Sequence, residues 1–330
     1  MLKQPVYIHS IASISALGIT SAEIWDNYLH ENSLFQKLEA TKKEYWVAKF
    51  SDATTSFLNN VINSDSKYKH LDKSVVMAIL VARNCFENSN FSNKNIGINF
   101  GSSRGATTLF EKYHTDFINE GLVSTFTSPA TTLGNISSWV SHDLQTDGPE
   151  ISHSITCSTG LHALLNGIAW LQSGMCNAFL VGASEAPLTP FTLSQMTALK
   201  VYSNEDNALA NRCLDFEKTS NTMILGEAAA CLSLSLSSEK AIAKITGIGT
   251  DVLVIEGVKS LGVENLHYDI QQVFYCYVAS IAGFNIRKFV FVTCEYGTAD
   301  ICQPYVLSRN HVIKANNTMH QALIEFKKCR

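Results

Sequence analysis

Short runs of apolar and β-branched residues alternate along the chain with longer stretches of helical period, and that alternation leaves few folds open. Val6 to Ile11 reads as a strand. Ser21 to His30 reads as a helix with a serine N-cap, its apolar Ile24, Trp25, Tyr28 and Leu29 at helical spacing. Lys73 to Phe86 is apolar nearly all round, which predicts a buried helix. Asn95 to Phe100 is a strand that opens through Gly101-Ser102-Ser103-Arg104-Gly105 onto the next helix. Ile151 to Ile155, Ser158 to Gln172 and Asn177 to Val181 continue as strand, helix and strand, the last ending in Gly182-Ala183. Such alternation predicts a layered α/β fold.

A second unit is expected from near Lys240. Ala243 to Gly247 reads as a strand, Asp269 to Ile281 as a helix and Phe289 to Thr293 as a strand, followed by the turn Cys294-Glu295-Tyr296-Gly297. Ser233 to Ser238 is serine-laden, but no Pro/Gly/Ser-rich linker separates the parts. The expected division is 1–238 and 239–330, with a similar element order in each that hints at a duplicated unit.

Composition narrows the function classes. With 330 residues, 46% hydrophobic and only six prolines, the chain can bury a large core and is not a disordered one. The 25 Lys and Arg against 29 Asp and Glu supply no basic surplus for a phosphate backbone, so no nucleic acid partner is expected. Nine cysteines without a Cys-x-x-Cys pair argue for a reducing compartment and against a disulfide framework or a zinc site. No signal peptide is evident, and the apolar stretches fall short of a membrane span, so a cytoplasmic setting is expected. The Gly101 to Gly105 loop lacks the Lys-Ser/Thr end of a phosphate loop and no dinucleotide fingerprint follows; no cofactor and no metal are expected.

The window with most chemistry is Ile151-Ser-His-Ser-Ile-Thr-Cys157-Ser-Thr-Gly-Leu-His162. It places a thiol on a sharp turn from strand to helix, with Ser158, Thr159 and Gly160 small enough for substrate to approach. Unpaired N–H groups at a helix start favour a thiolate, which is how a cysteine nucleophile is activated. The residues alone equally allow a buried cysteine that packs as a small hydrophobe. That packing reading is the expectation for Cys85, Cys176, Cys213, Cys231 and Cys276.

These motifs resemble the β-ketoacyl-acyl carrier protein synthase family of thiolase-like fold. Its Cys-Ser/Ala-Ser-Gly-x-His run is matched by Cys157-Ser158-Thr159-Gly160-Leu161-His162. Its Val-x-Gly-Gly-x-Glu-Ala strand end is similar to Val181 through Ala186, and its Arg-Pro-Phe-Asp and Gly-Glu-Gly-Ala pieces to Arg212 through Phe216 and Gly226 through Ala229. The opening Ile11 to Gly18 resembles the family's first strand and turn, so the likeness runs over roughly residues 5 to 235. It implies an α/β, thiolase-like layered α-β-α-β-α fold with two similar halves, the second shortened. It further implies a ketosynthase-like first half carrying the Cys157 turn, an acyl group loaded on that thiol, and condensation with malonyl-acyl carrier protein.

The later motifs depart from the family. Where its first histidine stands, the sequence reads Cys294-Glu295-Tyr296-Gly297; Glu295 takes the histidine's place only if protonated, since an ionised carboxylate repels an enolate, and Cys294, a weak donor, is an equal alternative. The second histidine has a counterpart in His320, six residues after Lys314 instead of five and with no preceding glycine; His311 is a poorer match. His162 implies packing, with no proton-transfer role, and His153 a core or subunit-seam position. Lys200 and Glu227 match supporting positions, and a buried Glu227 needs a hydrogen-bonded partner. The family's two further strands and Gly-Phe-Gly-Gly-x-Asn loop have no match before Arg330. Three functions follow as expectations. The first is a chain-length-factor-like partner that dimerises with a full-length ketosynthase and shapes its acyl pocket. The second is an active synthase using Cys157, and the third a non-enzymatic module, purely structural or docking acyl carrier protein. Dimerisation is expected through an edge strand at Asn177 to Val181.

Overall fold

A computed structural model describes residues 3–30, 33–40, 42–92, 94–133, 135–205, 211, 222–248, 273, 275–277, 280, 291–294, 302–305 and 309–328. In chain order the first elements are β1 (Val6–Ile14), α1 (Ser21–Leu29), β2 (Gln36–Ala40), β3 (Lys43–Val47), α2 (Asp52–Ser64), α3 (Lys73–Glu87) and β4 (Ile96–Gly101). There follow α4 (Thr107–Glu120), α5 (Thr127–Thr131), α6 (Asn135–Leu144), β5 (Glu150–His153), α7 (Thr159–Ser173), β6 (Ala178–Glu185) and α8 (Pro190–Ala198). β7 (Ala228–Ser235), β8 (Ala243–Ile245), β9 (Phe291–Cys294), β10 (Cys302–Tyr305) and a helix over Arg309–Lys328 complete the described elements.

Six strands form one mixed sheet in the order β5-β4-β6-β7-β1-β8. β4 pairs in parallel with β5 and β6, while β7 runs antiparallel to both β6 and β1. Period-two alternation splits β6 between two cores. Ala178 and Leu180 face α3, whose Val75, Val76, Met77, Ile79 and Ala82 are buried with Ile96, Ile98 and Phe100. Phe179 and Val181 face α7, with Ala163, Ile168 and Leu171. The sheet is therefore covered on both faces, and α3 is buried because it is apolar nearly all round. On the other face Gly167 lets α7 approach β6 closely, for a Cβ there would stand 2.4 Å from Val181 Cγ1.

Several boundaries differ from the sequence reading. The N-cap of α1 is Thr20, which accepts the Glu23 N–H at 3.2 Å, and no residue of α1 is buried. Gly182 and Ala183 lie inside β6, which runs on to Glu185. The expected edge strand at Asn177 to Val181 is corrected: β6 is hydrogen-bonded on both sides, by β4 and β7. The sheet ends instead at β5, paired only with β4, and at β8, paired only with β1, among the described residues. The strand expected over Ala243 to Gly247 is thus part of the first sheet.

Two compact units emerge, one of residues 1–211 and 222–250, the other of 212–221 and 251–330. In the second unit β9 pairs antiparallel with β10. Of the helix expected over Asp269 to Ile281, Val273, Tyr275, Cys276, Tyr277 and Ser280 are helical, and Val273 packs with Ala315 and Met319. Glu295 lies outside the described residues, just beyond Cys294 at the end of β9.

Candidate active site

The turn from β5 into α7 is short and strained. Thr156, Cys157 and Ser158 form one 3-10 turn, and Thr156 has φ 46°, a left-handed conformation that a β-branched residue rarely adopts. Such strain costs about 1–2 kcal/mol and persists only where neighbours hold it. Thr159 does the holding: its hydroxyl accepts the Ile155 N–H at 2.9 Å and donates to Thr156 O at 2.6 Å. Ser158 adds a hydroxyl bond to Ile155 O at 3.0 Å. At the apex Cys157 is exposed, a free thiol, which sets aside the buried-hydrophobe reading for this cysteine. Cys85, Cys176 and Cys231 are buried, and burial pushes the Cys176 thiol up to about 11.

Behind the turn stands a polar network centred on a buried asparagine. Asn99, on β4, is fully buried and donates to Ile151 O at 2.8 Å and to His153 Nδ1 at 3.1 Å, while its own Oδ1 accepts from Asn166 at 3.1 Å. His153 Nε2 lies 3.2 Å from Thr159 O. These partners fix the tautomer: Nδ1 accepts and Nε2 donates. Burial lowers the His153 pKa, so the ring is neutral near pH 7. Gly101 makes room for the arrangement, since a Cβ there would stand 2.2 Å from Thr159 Cγ2 and 3.1 Å from His153 O.

The Gly101 to Gly105 loop, which follows β4, is braced by Glu185 at the end of β6. The Glu185 carboxyl accepts the Ser103 N–H, and burial pushes its pKa up against the bonds from Ser103, Ser102 and Arg104. Ser154 Oγ donates to Ser103 O at 3.1 Å, and Arg104 donates twice to Gln195 Oε1, at 3.0 and 2.9 Å. His162 packs back on the turn, its Nδ1 3.1 Å from Ser158 O. Glu227 is buried and has partners: Lys73 Nζ at 2.6 Å and the Phe50 N–H at 3.1 Å. Lys200 is exposed, with φ 58°.

Lys314 and His320 belong to the second unit, both exposed on the helix Arg309–Lys328, and the His320 ring meets Tyr277 edge-on at 6.3 Å between centroids. Sequence reasoning missed Asn99, Asn166 and the bracing role of Glu185. The signal was present, because an asparagine in the apolar run Ile-Gly-Ile-Asn-Phe demands buried partners. Among the described residues no three His, Cys, Asp or Glu side chains converge as metal ligands would. What the first unit presents is an accessible thiol at the start of a helix on a rigid turn, a geometry suited to forming and breaking a thioester.

Comparison with known proteins agrees with this layout. Residues 3–240 match the family described as "Beta-ketoacyl synthase, N-terminal domain". A curated relative, the 3-oxoacyl-[acyl-carrier-protein] synthase 2 of Staphylococcus aureus (strain COL), is 25% identical over 258 residues. That match covers 74% of this chain and 62% of the relative, so the chain spans about three-fifths of the relative's length. Among solved structures, a β-ketoacyl synthase from Burkholderia phymatum superposes with a TM-score of 0.59 at 18% identity, over 70% of this chain and 59% of that one. A ketosynthase in complex with its chain length factor from Xenorhabdus doucetiae gives 0.55 at 16%, over 72% and 59%. These likenesses establish the thiolase-like fold of ketosynthases.

Proposed function

From a chain that belongs to the β-ketoacyl synthase family, through that family's N-terminal domain over residues 3–240, we propose a ketosynthase-like subunit of a fatty-acid or polyketide system. It pairs with a complete β-ketoacyl-acyl carrier protein synthase and shapes that enzyme's acyl pocket, as chain-length factors do. The observation that carries this reading is exposed apolar surface beside the thiol turn and on α4, together with an open sheet edge. β5 ends the sheet with one edge unpaired among the described residues. Ile155 and Leu161, on either side of Cys157, are 44% and 74% exposed, and Phe110, Phe117, Ile118, Leu122 and Val123 on and after α4 are more than half exposed. Monomers rarely leave so much apolar surface and a free strand edge to water. The absence of histidine from residues 291–300 supports a supporting role over a condensing one. The reading places the chain in the cytoplasm, with acyl carrier protein as a second partner.

Co-expression with a full-length ketosynthase tests it. A stable heterodimer is the expected product; a well-behaved homodimer that ignores the ketosynthase would overturn the proposal.

A second reading, an active synthase acylated on Cys157, is favoured by the exposure of that thiol. Incubation with an acyl-CoA followed by intact-mass measurement decides it, the absence of an acyl adduct counting against condensation.

A further inference from the structure

The Cys157 turn is tied to the sheet by one imidazole. His153 is the last residue of β5, and it is bonded at both ring nitrogens: Nδ1 accepts from Asn99 Nδ2 at 3.1 Å and Nε2 donates to Thr159 O at 3.2 Å. Asn99 cannot turn its amide to suit a different ring. Its Nδ2 also serves Ile151 O, and its Oδ1 is occupied by Asn166. Thr159, held by the imidazole at its carbonyl, is the residue whose hydroxyl spans the turn from Ile155 N to Thr156 O across Cys157. Asn166, Asn99, His153 and Thr159 therefore form one directed relay from the middle of α7 through β4 and β5 back to the first residue of α7.

We propose that His153, in its neutral form, is the positioning residue of the thiol turn and sets how fast Cys157 reacts. The relay works only with a lone pair on Nδ1. A proton there places N–H against the Asn99 amide donor, which its two other partners prevent from flipping. Burial disfavours that proton, and His162, one helical turn into α7, is the titratable neighbour whose charge adds to the effect. Asn99 and Thr159, its hydrogen-bond partners, carry no charge, nor does Asn166 behind Asn99. The inference concerns the thiol itself and holds whether the chain condenses acyl groups or supports a subunit that does.

The test uses 4,4′-dithiodipyridine on the full chain. Its disulfide is attacked by the Cys157 thiolate to give a mixed disulfide and one released thiopyridone, with the labelled residue confirmed by peptide mass mapping. His153→Leu removes both ring bonds and is expected to slow labelling near neutral pH about fivefold, the rate equivalent of one hydrogen bond of about 1 kcal/mol. His153→Gln keeps a donor for Thr159 O and an acceptor for Asn99 but has no proton to gain; it should stay within about twofold of the parent near neutral pH. Below pH 6.5 the parent should then fall progressively behind the Gln variant, a divergence that a purely structural role would not give. Equal rates for parent and Leu variant, or a flat parent-to-Gln ratio across pH, would overturn the proposal. If the Leu variant does not fold, the parent-to-Gln ratio decides alone. Acyl loading measured on the same variants reports on the functional reading separately.

Discussion

The Lys73 ammonium lies 2.6 Å from Glu227 Oε2, joining the start of α3 to the residue before β7 across 154 positions of sequence. The carboxylate is buried and its other oxygen accepts the Phe50 N–H, whereas Lys73 remains about one-third exposed over the Phe50 ring. Removing the buried partner leaves an orphan amide and a half-buried cation. Glu227→Ala should cost about 2–3 kcal/mol in urea unfolding. Lys73→Met, which strands the carboxylate, should cost a similar amount, and the double variant less than the sum.

Tyr68, Arg83 and Asp143 form a second knot, between the turn before α3 and α6. Asp143 accepts Tyr68 Oη–H at 2.5 Å and Arg83 from Nε at 2.6 Å and Nη2 at 2.8 Å. Burial works against ionisation of Asp143, but the Arg83 and Tyr68 bonds outweigh it and hold the carboxyl below its usual range. A lowered carboxyl pKa stabilises the fold above the unfolded value of about 3.9, and the contribution disappears as pH falls through the lower folded value. Stability measured by thermal melting should therefore drop as pH passes below about 4, and Asp143→Asn should flatten that part of the profile.

Close backbone approach at Gly101 and Gly167 has a steric counterpart. A methyl at Gly101 meets Thr159 Cγ2 at 2.2 Å, and one at Gly167 meets Val181 Cγ1 at 2.4 Å. Both alanine variants should lose about 1–3 kcal/mol by overpacking, read from denaturant midpoints. Only Gly101→Ala should also slow thiol labelling at Cys157, because it displaces the residue that straps the turn.

Cysteine labelling under native conditions should separate the thiols by burial. Among the cysteines of described burial Cys157 should react first, and Cys176, pushed up to about 11 by burial, should stay unlabelled near pH 8 until the protein is unfolded. Peptide mapping after partial alkylation checks the order.

The sequence made some of this plain and hid the rest for physical reasons. Helix α3 and strands β1, β4 and β6 were legible because long apolar periodicity marks buried elements. The strand β7 was not, for Ala228-Ala-Ala-Cys-Leu-Ser-Leu-Ser235 has only two large apolar residues, Leu232 and Leu234, among small ones with weak strand preference, and tertiary pairing on both sides makes it a strand. Because β7 inserts between β6 and β1, the place of the sheet edge could not be read from neighbours in sequence, and β5 took the role expected of Asn177 to Val181. At the site, Cys157 was legible from its turn residues. The relay through Asn99 and His153 was not, because its members lie 54 positions apart and meet only where β4 pairs with β5.

That same strand order bears on how the protein is made. β1 has as its two neighbours β7 and β8, more than 210 positions later in the chain. Until those segments emerge β1 waits with both edges bare, and closing so long a loop is slow. β1 must be sheltered while that intervening span is synthesised, which makes chaperone supply a determinant of yield when this protein is expressed.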